Sequence, residues 1–169
     1  YHLVTRYGEV PILEAPSSGD IAASTEEEGW SFVEKNFQVA IDYAPTFSDK
    51  YYVSKQAAKA LMARTKLAQG KLTEAAKLAE EVIGDANFSL ADFDQIFRGK
   101  ANREEIFSFV NLLNESSVNL SASLYSRASA NGGSYTYAPT TKVMNMFEPD
   151  DKRTAISIDM QETNEVINK

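Results

Sequence analysis

Gly70 stands between two alanine-rich stretches of helical pattern, and this arrangement limits the fold more than any other feature of the chain. Before it, Ala57, Ala58, Leu61, Met62, Thr65 and Ala68 recur at helical spacing behind Ser54, a candidate N-cap. After it, Leu72, Ala75, Ala76, Ala79, Val82 and Ile83 do the same, closed by Gly84. A connection this short sends the second helix back along the first, so the spacing predicts an antiparallel hairpin of helices at about 55–69 and 72–83. Alanine on the facing stripes lets the two backbones approach closely.

A further helix precedes the hairpin. Thr25 with Glu28 forms a capping box, and Glu26 and Glu27 suit the positive end of a helix dipole. Trp30, Val33, Phe37, Ala40, Ile41 and Ala44 follow at helical intervals up to Pro45, which predicts a helix at about 27–44. Phe32, Val39 and Tyr43 form a second row that widens its apolar face. Trp30, the sole tryptophan, lies on that face with Val33 and Phe37 and is expected in the core. Upstream, Tyr1 to Tyr7 reads as the last turns of a helix closed by Gly8, Glu9 to Leu13 as extended chain, and Glu14 to Ser24 as a loop. Opening without an initiator methionine or signal peptide, the chain reads as a piece of a longer protein.

Beyond Asp85 the pattern breaks up. A short helix is expected near Phe93 to Gly99, and Glu105 to Val110 reads as a strand buried on both faces. Asn111 to Tyr137 is polar and rich in Ser, Asn and Gly, Thr140 to Phe147 holds another short helix, and Ile156 to Lys169 is weakly patterned. The expected fold class is therefore mostly α: tetratricopeptide-like antiparallel helical hairpins over 1–84, then an irregular region with few short strands over 85–169.

Several functions are excluded or disfavoured on composition. A net charge of −7 without a basic cluster argues against a nucleic-acid surface. The absence of cysteine removes disulfides, thiolate nucleophiles and zinc–sulfur sites. No apolar run is long enough to span a bilayer. His2 is the sole histidine, so a Ser-His-Asp triad has one candidate base, at the chain's edge. No nucleophile elbow, Walker loop or dinucleotide fingerprint occurs. Glu148, Asp150 and Asp151 supply oxygen ligands but lack the spacing and glycine of a calcium loop, so they read as a solvated acidic turn, and no metal or other cofactor is expected. The three Asn-x-Ser sequons, at Asn87, Asn114 and Asn119, are unsurprising in a chain rich in Ser and Asn.

Met62-Ala63, Gly70, Leu72, Glu74-Ala75 and Val82-Ile83 fall at the spacings of a tetratricopeptide repeat, with Thr65 standing where the first helix usually has alanine. The Trp30 to Ala44 helix resembles the second helix of a preceding, degenerate repeat. Along the chain come Leu3 to Leu13, the Ala58 to Ile83 hairpin, Phe88-Ser89-Leu90 through Ile96-Phe97, Asn102 to Ser108, and Pro139-Thr140 leading to Phe147-Glu148 and Asp151-Lys152-Arg153. This succession resembles the SusD/RagB family of bacterial glycan-binding lipoproteins, most firmly at Tyr7 to Leu13, Ala58 to Ile83 and Glu105 to Phe107. The resemblance implies the central segment of a lipid-anchored protein on the extracellular face of the outer membrane. Such a protein sits on a SusC-like, TonB-dependent transporter and hands it oligosaccharide or polysaccharide without catalysis. The helices would serve as scaffold and the later loops would hold the sugar.

A pyranose ring offers an apolar C–H face that stacks on aromatic rings and hydroxyls that need amides or guanidinium groups. The loop Asn131 to Tyr137 supplies both through Tyr135, Tyr137 and Asn131, with Tyr125 and Arg127 as further candidates. Asp151 and Arg153 match the family's Asp-x-Arg pattern and are expected to form a local ion pair. Two other functions compete: a tetratricopeptide module that binds a protein without sugar, and a glycoside hydrolase using two of the chain's carboxylates.

Overall fold

The computed structural model describes residues 1–97, 102–109, 123, 133–134, 136–162 and 165–168. They fall into two compact units, Tyr1–Ala91 with Lys100–Phe109, and Asp92–Gly99 with Val110–Lys169.

The first unit is helical. Its short opening helix α1, His2–Tyr7, ends at Gly8, whose φ of 70° is a left-handed conformation suited to glycine. Val10 and Ser24 then pair as an isolated antiparallel bridge that closes the intervening loop. Helix α2, Glu26–Tyr43, starts from the expected capping box. The Thr25 hydroxyl accepts from the Glu28 N–H at 3.2 Å, and the Glu28 carboxylate accepts from the Thr25 N–H at 2.9 Å. It stops at Ala44, held extended ahead of Pro45. Val4, Val10, Trp30 and Val33 form a buried cluster, with Tyr1 and Phe37 packed against it. Trp30 is thus a core residue, and its indole N–H donates to Glu26 at 3.0 Å. The second row on α2 is not core: Val39 and Tyr43 are exposed.

Helices α3, Lys55–Ala68, and α4, Leu72–Ile83, form the predicted hairpin, with ends within one residue of those expected. Ser54 caps α3 by accepting from the Ala57 N–H at 3.2 Å. At the turn, the Gly70 N–H donates to the Leu67 carbonyl at 3.0 Å and the Lys71 N–H to the Lys66 carbonyl at 2.9 Å. These two bonds make a Schellman motif, which needs Gly70 at its φ of 73°. Ion pairs Lys66–Glu74 near the turn and Lys59–Glu81 at the open end fix the antiparallel sense. Helix α2 also runs antiparallel to α3: Phe47, just past the end of α2, donates to Gln56 at the start of α3, while Glu34 further back meets Lys66 and Gln69. Thr65, where a repeat usually has alanine, is wholly buried, and its hydroxyl donates to the Leu61 carbonyl at 2.9 Å.

Two expectations for this unit need correction. On α4 only Ala75 and Val82 of the apolar stripe are buried, whereas Leu72 and Ile83 are 63% and 77% exposed. Glu105 to Phe109 is not a strand buried on both faces: it joins no sheet, and Phe109 is 86% exposed. A strand needs a neighbour offering a ladder. Here the Ser108 N–H donates to the Lys50 carbonyl at 2.8 Å, and side chains hold the remainder.

In the second unit, α5 (Phe93–Phe97) and α6 (Thr141–Met144) lie where short helices are expected, the latter capped by Thr140. Helix α7, Lys152–Ser157, leads into β1, Ile158–Glu162, which pairs antiparallel with β2, Glu165–Asn168. The register aligns Ile158 with Asn168 and Asp159 with Ile167, then shifts before Glu162 meets Glu165. Among the described residues the strands are those of this hairpin, in a stretch read from the sequence as weakly patterned.

Candidate functional site

Of the five candidate sugar contacts, Tyr125, Arg127, Asn131 and Tyr135 lie outside the described residues. Tyr137 is described. Its backbone N–H donates to the Ser123 carbonyl at 3.0 Å, which pins the chain while the side chain stays open to solvent. Nearby, the Ser134 and Thr136 hydroxyls share a hydrogen bond of 2.8 Å. An exposed phenol on a tethered backbone, with hydroxyls one and three positions away, suits a ligand with one apolar face and a polar rim.

Asp151 and Arg153 form the expected local pair. The guanidinium engages both carboxylate oxygens, by Nε at 2.9 and 3.0 Å and by Nη2 at 2.6 Å, and the Arg153 backbone N–H adds a bond of 2.9 Å. These hydrogen bonds hold the Asp151 carboxyl below its usual range. Its oxygens are therefore committed to bracing the turn at the start of α7. Among the described residues, no group of three or more His, Cys, Asp or Glu is placed to hold a metal.

The helical unit carries its own polar recess. A groove of about 560 Å³ runs over α3 between α2 and α4, lined by Glu34, Lys35, Gln38, Met62, Lys66 and Lys77 among others. One network fills its floor. Lys66 reaches Glu34 on α2 and Glu74 on α4, each at 2.9 Å, and Glu34 also accepts from Gln69 at 2.7 Å and Lys71 at 3.0 Å. Burial raises the Glu34 pKa, but the bonds from Lys66, Gln69 and Lys71 outweigh it and leave the group at about 2. For Lys66, burial works against the charge, yet its two carboxylate partners push its pKa above the usual lysine value. Both groups are thus locked in their charged forms. A general acid or base needs a pKa near the working pH, and these are driven the other way. Glu81, Asp85 and Glu105 are likewise held low by hydrogen bonds to, first in each case, Lys59, Asn87 and Lys50.

The segment Asn102 to Ser108 gains its purpose only in the folded chain. The Asn102 side chain accepts from the backbone N–H groups of Glu104 and Glu105, at 3.0 and 3.2 Å, and so shapes a turn. Arg103 donates to the carbonyls of Ala86 and Asn87. Glu104 accepts from the Ala91 N–H at 2.7 Å, and Glu105 pairs with Lys50. A strap of consecutive polar residues thereby joins the loop before α3 to the turn after α4. Gln56 links the same regions, accepting from the Phe47 N–H and donating to Asp85, while Phe47 and Phe88 pack edge to face at 4.7 Å between ring centres. Sequence reading set Asn102 to Glu105 within a family resemblance but missed this bracing role, because each partner lies far along the chain.

No protein-family model matches the chain, and no curated protein matches it in sequence. Comparison with solved structures finds a SusD superfamily protein from Bacteroides thetaiotaomicron VPI-5482, with a TM-score of 0.58 and 22% identity. The match covers 68% of this chain and 27% of that one, so the chain corresponds to little more than a quarter of the solved protein. At this level of identity the likeness is one of backbone architecture, and it agrees with the order of motifs along the chain. The chain is SusD-like in its fold.

Proposed function

We propose that this chain is the central, tetratricopeptide-containing part of a SusD/RagB-like protein that binds oligosaccharide or polysaccharide without chemically altering it. The observation that carries this reading is the shared fold with the SusD superfamily protein over 68% of the chain. The helices of 1–84 act as scaffold, and the loops of 85–169 supply the sugar contacts. In this reading Tyr137 stacks on a pyranose face, joined by Tyr135, Tyr125, Arg127 and Asn131. The full-length protein is lipid-anchored at the extracellular face of the outer membrane and delivers its glycan to a SusC-like, TonB-dependent transporter. The locked charges of Glu34 and Lys66 favour scaffolding over acid–base chemistry.

Calorimetric titration of the folded protein against a glycan panel tests the reading. Saturable binding to one glycan class is expected, weakened about tenfold by Tyr137→Ala with an unchanged far-ultraviolet spectrum. A folded sample that binds no glycan and instead captures a protein partner would replace it with an interaction module. Release of reducing sugar, abolished by one Asp or Glu substitution, would make the protein a hydrolase.

A further inference from the structure

We draw no further inference here: the strongest candidate, the apolar groove that Ala60, Ala63, Leu67, Leu72, Ala79 and Ile106 form along the α3–α4 hairpin, has exposed leucines at its edge, but nothing in the structure shows what covers it.

Discussion

The Lys66 ammonium lies 2.9 Å from the Glu34 carboxylate, which ties α3 to α2, and the same ammonium reaches Glu74 on α4. One lysine thus joins three helices. Its side chain is only 12% exposed, so the charge is largely withdrawn from water and depends on these partners.

Replacing Lys66 with methionine keeps the side chain's bulk and removes its charge. Glu34 would keep Gln69 and Lys71 but lose the more buried of its two lysine partners. The expected loss is about 1–3 kcal/mol, the usual cost of leaving a partly buried polar group short of a bond. Glu74→Gln acts on a side chain that is 57% exposed, where an ion pair contributes about 0–1 kcal/mol. Urea denaturation followed by circular dichroism ranks the two. Equal effects would mean that the partly buried Glu34 pair adds nothing beyond the exposed Glu74 pair.

The same network sets a pH dependence. The Glu34 pKa falls from 4.5 to about 2 on folding. For a depressed carboxylate, the unfolded chain binds the proton first, so stability rises with pH across this interval. Its contribution is complete above about 4.5 and is lost as pH falls towards about 2. Glu34→Gln should flatten the stability profile within that window and leave its shape above it unchanged. Denaturation midpoints measured at half-unit pH steps give both curves, and parallel curves through the window would remove Glu34 from the explanation.

Gly29 lies in the interior of α2, where glycine usually costs about 1 kcal/mol relative to alanine. Here a Cβ would stand 2.9 Å from Cγ2 of Val4. Val4 is 4% exposed and β-branched, with little freedom to turn aside. Overpacking of about 1–3 kcal/mol therefore outweighs the gain in helix propensity, and Gly29→Ala should destabilise by about 1 kcal/mol net. Adding Val4→Ala makes room and should turn the second substitution's effect favourable. A double-mutant cycle by thermal denaturation measures this coupling, and simple additivity would contradict it.

Local signals in the sequence reached the helices because helix starts and stops are written within a few residues. Thr25 with Glu28, Ser54, Gly8 and Gly70 all occupy the places their chemistry predicts. Periodicity tells which face is apolar but not what lies against it. Leu72 and Ile83 accordingly fall on the apolar stripe of α4 and yet are exposed. The strap was illegible for a different reason: Glu105 and Lys50 are 55 positions apart, and neither carries a local pattern that names the other. β1 does carry an alternation, Ile158-Asp159-Met160-Gln161, which the reading of Ile156 to Lys169 as weakly patterned passed over. Of the candidate site, sequence nominated an aromatic loop, and the described structure holds Tyr137 from it, open to solvent.

The strap gives the final prediction. Its attachment combines polar ties with Ile106, which lines the apolar groove along α3 and α4, whereas Phe109 is 86% exposed. Lys50 and Glu105 are each about three-quarters buried as side chains, which makes their ion pair a poorly solvated tie. Substituting Glu105 with glutamine keeps the shape and a hydrogen-bonding oxygen but removes the charge that Lys50 faces. Such a loss should loosen the strap without unfolding the helices, because α3 and α4 are held by the Gly70 turn and by Lys59–Glu81 and Lys66–Glu74. Hydrogen exchange distinguishes local from global opening. The Ser108 N–H, which donates to the Lys50 carbonyl, and the Ala91 N–H, which donates to Glu104, should exchange several-fold faster in the variant. Amides inside α3 and α4 should keep their protection. Uniform acceleration across all of them would mean that strap and helices open as one cooperative unit.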